Sequence, residues 1–271
     1  MSEYIRTLNY LGCKYKYLPI IEEYVKKSKK KILVEPFCGS GVITANFSKY
    51  FDKVYINDIE PNVIKILLGF KNYTYKEYCE FIKIYAKHLN NIENKDFYYK
   101  FRDHMNKKWF NTNTFYESFF LYHISQVCIN SMFRCGKNGF NQSFGNKRKA
   151  KILNEKQYNE IHNSLKNVEI YSLDYKEFLK ILNKKRISPS ECLMFLDPPY
   201  NGNDGAYTII QDTNRNEYMK LLNNKCDILY TDVLVNQKLP YVELREMKNV
   251  APGNGKKVKN KEVMFYKIKG V

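Results

Sequence analysis

The sequence predicts an α/β fold, an open sheet with parallel strands at its centre, interrupted by a mostly helical insert. Three observations predict it. Short continuous apolar runs recur and stop on an acid, as Leu193, Met194, Phe195 and Leu196 stop on Asp197; runs of that length read as strands buried on both faces. A strand, a glycine turn and a helix pattern follow one another between Lys31 and Tyr50, and a second acid-terminated strand comes directly after. From about Gly69 to Lys151 the composition shifts to Tyr, Phe, Lys and Asn and reads mostly helical, after which the α/β pattern resumes. The chain thus divides into an α/β unit, 1–68 with 152–271, and an insert, 69–151.

A chain of 271 residues can bury a full core, as one large domain or as one domain carrying an insert. Lys and Arg number 45 against 28 Asp and Glu, a net charge of +17. Such a charge suits a polyanionic partner, because each neutralised phosphate releases counterions. A composition biased toward Lys, Asn, Ile and Tyr produces the same excess, so charge alone does not decide. The seven cysteines form no CxxC pair and are odd in number. They read as reduced thiols of a cytosolic protein rather than a disulfide frame or a metal site. The first residues lack an apolar leader and no later run approaches a membrane-spanning length, so a soluble, cytoplasmic protein is expected.

Taken in order, residues 9–15 are a short aromatic and basic stretch that includes Tyr10 and Lys14. A helix is expected from about Pro19, with Ile20, Ile21, Tyr24 and Val25 at helical spacing. Lys31 to Gly41 holds a strand ending on Glu35, then Pro36, Phe37, Cys38, Gly39, Ser40 and Gly41, before a helix from Val42 to Tyr50. Gly39 and Gly41 permit a tight turn and let a ligand approach the backbone. The next strand ends on Asp58, 19 residues past Gly39. That is close to the spacing of about 20 at which an acid meets a ribose hydroxyl in nucleotide-binding βαβ units. Together these elements predict a nucleoside ligand.

The insert ends in a run from Asn130 to Lys149 that mixes apolar residues, glycines, amides and bases, among them Arg134, Lys137, Asn141, Lys147 and Arg148. This composition suits contact with base edges and phosphates; a packed helical insert with a solvated basic hairpin fits it too. Further strands are expected at 168–174, ending on Asp174 and Tyr175, then at 193–196, 227–232, 241–245 and 263–268. In open α/β sheets ligands gather outside the carboxyl ends of strands, the edge that Gly39, Asp58, Asp174 and Asp197 would share.

After Asp197 come Pro198, Pro199 and Tyr200. Neither proline donates to a ladder and both fix φ near about −65°. A carboxylate, a turn carbonyl and a flat ring in one small space suit a planar heterocycle with an exocyclic amino group.

The chain resembles the Dam-type (alpha group) DNA adenine-N6 methyltransferases over nearly its whole length. The resemblance rests on four features in the family's order: residues 9–15, Glu35 to Gly41, the segment from Arg134 through Gly139 to Gly145, and Asp197 to Tyr200. It implies a doubly wound, Rossmann-like methyltransferase sheet with a helical target-recognition insert. It also implies S-adenosylmethionine as cofactor and double-stranded DNA as partner. Tyr10, Lys14, Glu35, Phe37, Gly39, Gly41, Asp58, Asp174 and Tyr175 become expected cofactor contacts. Asp197, Pro198, Pro199 and Tyr200 become the catalytic group, and Asn130, Arg134, Lys137, Asn141, Lys147 and Arg148 the DNA-reading candidates. Gln142 and Ser143 stand where the family often has Val-Pro, which leaves the target sequence open.

On this reading the adenine amino group gives its two N–H bonds to Asp197 and the Pro198 carbonyl, and transfer is a direct in-line displacement after base flipping. A monomer or weak dimer without membrane or metal is expected, and a cognate restriction endonuclease is a compatible partner. An RNA amino-group methyltransferase and a non-catalytic DNA-binding relative are the alternatives. Both are disfavoured, by the insert and by the intact Asp197 and glycine turn respectively.

Overall fold

The computed structural model describes residues 4–10, 12–112, 114–145, 150–199, 225–234, 240–250 and 257–269. Its centre is a sheet of strands β1 (Ile32–Glu35), β2 (Lys53–Asn57), β5 (Val168–Tyr171), β6 (Cys192–Leu196), β7 (Asp227–Val233), β8 (Tyr241–Val250) and β9 (Lys257–Lys267). The spatial order is β5-β2-β1-β6-β7-β9-β8. The first five are parallel neighbours, and β9 runs antiparallel to both β7 and β8. Every residue of β1 and of β6 is buried, as expected of apolar strands covered on both faces.

Side chains alternate between two cores, because successive strand residues point to opposite faces. Leu33, Leu193, Phe195 and Leu229 join one cluster, with α1 (Leu18–Ser28), α2 (Val42–Phe47), α3 (Pro61–Asn72) and α7 (Glu155–Leu165). Ile32, Val34, Met194 and Ile228 join the other, with Phe178 and Leu182 of α8 (Tyr175–Lys184). Helices on both faces make the sheet doubly wound. The order reverses between β1 and β6, so the crevice outside their carboxyl ends is the switch point where such sheets place ligands.

The insert contributes α4 (Tyr75–Leu89), α5 (Lys95–Trp109), α6 (Phe115–Val127) and a short hairpin, β3 (Cys135–Gly136) with β4 (Gly139–Phe140). Thr74 caps α4 through a reciprocal box with Glu77, and Asn94 caps α5. Residues Glu117 to Val127 of α6 are all buried, so α6 is a central axle rather than a surface helix. Its own Phe119 and the neighbouring Tyr78, Phe81 and Phe101 belong to the same continuous cluster as the sheet's first face. Gly69 lies where α3 meets α6: a Cβ there would stand 2.6 Å from the Ser118 Cβ. Among the described residues no helix is long and apolar enough to cross a membrane.

Candidate active site

The site begins at the turn after β1. Gly39 and Gly41 have φ of +46° and +67°, a region side chains rarely adopt, and a Cβ on Gly39 would reach the Tyr10 ring at 3.2 Å. The turn is tied across the sheet: the Cys38 N–H donates to the Asn57 carbonyl at 2.8 Å. The N-terminal stretch straps over it, with the Ile5 N–H donating to Asn46 at 2.7 Å and the Thr7 hydroxyl donating to the Ser40 carbonyl at 2.6 Å. Tyr10 and Gly39 are thereby brought together, as are Phe37 and Tyr175, whose rings lie 5.3 Å apart.

Asn57, the last residue of β2, was not singled out from sequence. Its buried amide donates to the carbonyls of Pro36 and Leu173 at 3.0 and 2.9 Å, and accepts the Leu173 N–H. One side chain thus joins the chain just beyond β1 to that beyond β5, with its own strand between them. Asp58 follows, its carboxylate accepting the Gly39 N–H at 2.7 Å and the Glu60 N–H at 2.9 Å. Burial pushes Asp58 above the ordinary carboxylate range, against those backbone donors. Glu35 lies deeper, 1% exposed, and accepts the Thr44 hydroxyl at 2.5 Å. Burial, with Asp197 and Asp58 nearby, pushes its carboxyl up to about 8. Asp174 is exposed and caps α8, accepting the Lys176 N–H at 2.8 Å.

Asp197 stands just past β6, across the switch point from the glycine turn. Its Oδ2 accepts from the Lys14 ammonium at 2.7 Å and its Oδ1 from the Thr231 hydroxyl at 2.5 Å. Lys14, expected beside the cofactor, is 3% exposed and also donates to the Gly12 carbonyl at 2.8 Å. Burial raises the Asp197 carboxyl, and Lys14 is the strongest influence pulling it back. Glu262 of β9, 3.6 Å from the lysine, accepts from Arg245 at 2.5 Å and from the Tyr17 hydroxyl at 3.2 Å. A register irregularity between Glu243 and Arg245 accompanies that pairing. Neither Thr231 nor Glu262 was among the site residues expected from sequence. The available signal for Glu262 was a lone acid leading the apolar run Val263, Met264, Phe265.

The segment expected to read DNA follows α6. Asn130 and Ser131 take left-handed backbone, with φ of 57° and 50°. Phe133 is buried against Phe140 and Tyr10, while Arg134, Lys137 and Asn141 are exposed. Asn106 of α5 clamps the hairpin, donating to the Phe140 carbonyl at 2.8 Å and accepting the Phe140 N–H at 3.1 Å. Gln142 is buried and donates to the Ile129 carbonyl at 3.1 Å, which locks the returning chain. A cleft of about 700 Å³ runs beside this segment, lined by Tyr10, Gly12, Asn130, Ser131, Arg245 and Glu262 among others. Pro198 is buried and Pro199 half-buried. Tyr200, Lys147 and Arg148 lie outside the described residues. Among the described residues no His, Cys, Asp and Glu cluster is arranged to hold a metal.

Sheet order, glycine turn and acid-proline-proline edge define a doubly wound α/β fold with a candidate site at the switch point. The chain belongs to the D12 class of N6 adenine-specific DNA methyltransferases, whose family model matches residues 10–263. It is similar to the Type II methyltransferase M.MjaIII of Methanocaldococcus jannaschii, 30% identical over 202 residues, 71% of this chain and 68% of that protein. Two structures of the rRNA methyltransferase aviRa from Streptomyces viridochromogenes align with TM-scores of 0.34 and 0.36 at 10% identity. Each alignment covers 94% of this chain and 84% of that one. The protein is thus an adenine-specific DNA methyltransferase.

Proposed function

We propose that the chain moves the methyl group of S-adenosylmethionine to the N6 of an adenine turned out of duplex DNA, with Asp197 as the catalytic residue. The observation that carries this reading is the Asp197 carboxylate at the switch point, anchored on both oxygens and just past the strand that neighbours β1. The residues present fit the cofactor. Gly39 and Gly41 hold a tight left-handed turn beside Tyr10, the Asp58 carboxylate retains acceptor capacity for hydroxyls, and Phe37 with Tyr175 offers aromatic surface at the same edge. When bound, the cofactor supplies a methyl group activated on a sulfonium.

The protein's part is positioning. The adenine amino nitrogen is a poor nucleophile because its lone pair is delocalised into the ring. Accepting its two hydrogens on Asp197 and on the Pro198 carbonyl favours a pyramidal nitrogen with a directed lone pair. Turning the base out costs a few kcal/mol, and stacking on Tyr200 recovers about 1–3 kcal/mol of that. Residues 69–151 act as the target-recognition insert, with Asn130, Arg134 and Asn141 toward bases and Lys137, Lys147 and Arg148 toward phosphates. The +17 charge supplies the sequence-independent attraction. A DNA substrate suits the cytoplasm of a bacterial or phage-infected cell.

The test is methyl-labelled S-adenosylmethionine offered with unmethylated duplex DNA, RNA and protein as parallel acceptors, followed by digestion to nucleosides. Label in N6-methyldeoxyadenosine is the expected result. Label confined to RNA or protein contradicts the reading.

A further inference from the structure

Asp197 is held from two directions by residues outside its own turn, and the meaning of these contacts rests on its role as acceptor of the adenine amino group. Lys14 comes from a 3-10 turn near the start of the chain, Thr231 from the middle of β7. Thr231 is fully buried, and its hydroxyl lies 2.5 Å from Asp197 Oδ1 and 3.4 Å from the Leu196 carbonyl. Lys14 is tied to the Gly12 carbonyl and bracketed by a second carboxylate, Glu262, at 3.6 Å. Glu262 is in turn engaged by Arg245 and Tyr17. A long side chain anchored at so many points no longer samples its rotamers, so its ammonium is a fixed reference for the carboxylate. A carboxylate has about four acceptor positions in its plane. Using one on each oxygen stops rotation of the carboxyl group and leaves the remaining lone pairs at set directions.

We propose that Lys14 and Thr231 are positioning residues for methyl transfer, fixing the plane of the Asp197 carboxylate so that a free lone pair is aimed at the adenine amino group. Lys14 also sets the charge of the site. The charged and titratable groups facing Asp197 are Lys14 from the 3-10 turn, Glu262 from β9, Glu35 from β1 and Asp58 from beyond β2. Without the lysine, burial and the Glu262 carboxylate both favour protonated Asp197, which accepts less well. The acid limb of the rate profile then moves to higher pH.

The test measures methyl transfer against pH at saturating S-adenosylmethionine and unmethylated DNA of mixed sequence. The variants are Thr231→Val, Thr231→Ser, Lys14→Met and Asp197→Asn, with cofactor affinity by titration and fold by circular dichroism. Thr231→Val, nearly isosteric, is expected to lose about tenfold or more in kcat with cofactor affinity within about twofold, and Thr231→Ser to recover most of it. Lys14→Met is expected to lower kcat and move the acid limb upward. Wild-type kcat and pH profile in Thr231→Val and Lys14→Met, with Asp197→Asn inactive, overturn the proposal. So does a Lys14→Met defect confined to cofactor affinity, which makes the lysine a cofactor contact. If Lys14→Met does not fold, the Thr231 pair decides alone: an unchanged kcat in Thr231→Val overturns it. An active Asp197→Asn instead sinks the assignment of Asp197 itself.

Discussion

Glu35 shows at the residue scale how burial alone can set a protonation state. Its carboxyl is pushed from 4.5 up to about 8, chiefly by burial, so the folded chain keeps a proton that the unfolded chain releases. Stability from this group is full below the unfolded value and is lost as pH rises through the folded one. Glu35→Gln keeps an oxygen for the Thr44 hydroxyl and removes the titration. The melting point of Glu35→Gln relative to wild type is therefore expected to rise between about pH 5 and pH 8, measured by calorimetry. Parallel curves would show that Glu35 titrates normally. Glu35, Gly39, Asp58 and Asp197 were legible in the sequence because each ends a strand or opens a turn, and local chain signals place them. Thr231 and Glu262 were not. Nothing near Thr231 in sequence marks it from other strand residues, and the Lys14 contact with Asp197 spans 183 positions.

At the scale of elements, α3 and α6 cross at Gly69 because nothing larger fits against Ser118. Gly69→Ala gains helix propensity of about 1 kcal/mol, but overpacking typically costs about 1–3 kcal/mol. A net loss is expected, at about 2–4 °C of melting point per kcal/mol for a chain of this size. Adding Ser118→Gly should recover part of it, and an unchanged or higher midpoint for Gly69→Ala alone would mean that the helices separate freely. The hairpin gives a second test. Phe133 and Phe140 are buried beneath it while Arg134 and Lys137 are exposed, so its fold should survive loss of either charge. Arg134→Ala is expected to cost about 1–3 kcal/mol on the correct DNA site and far less on a site altered at one base pair. Lys137→Ala should weaken all sequences alike and make the salt slope shallower by about one unit. Equal losses on every DNA for Arg134→Ala would make it a phosphate contact. The sequence showed the strands well, since buried parallel strands are short unbroken apolar runs. It did not place the hairpin's strands, because the two-residue strands β3 and β4 are too short for periodicity to register.

At the scale of the whole molecule, the insert and the sheet are one packed body among the described residues, since a single apolar cluster runs from Leu33 in β1 through α6 to Phe140. The change of composition at Gly69 therefore marks a change of surface rather than a break in the core. Gly69 itself sits inside α3, where it serves packing between the two parts. This fused body presents the hairpin and the Asp197 edge from one frame. The acid, its anchors and the glycine turn then form a site that should bind cofactor without Asp197 but should not transfer from it. The most direct measurement is the single-turnover rate of Asp197→Ala at saturating S-adenosylmethionine and unmethylated DNA, with cofactor binding titrated in parallel. Intact cofactor binding is expected, with a rate lower by far more than about tenfold, the equivalent of about 1.4 kcal/mol of barrier. A rate within about tenfold of wild type would contradict the assignment of Asp197.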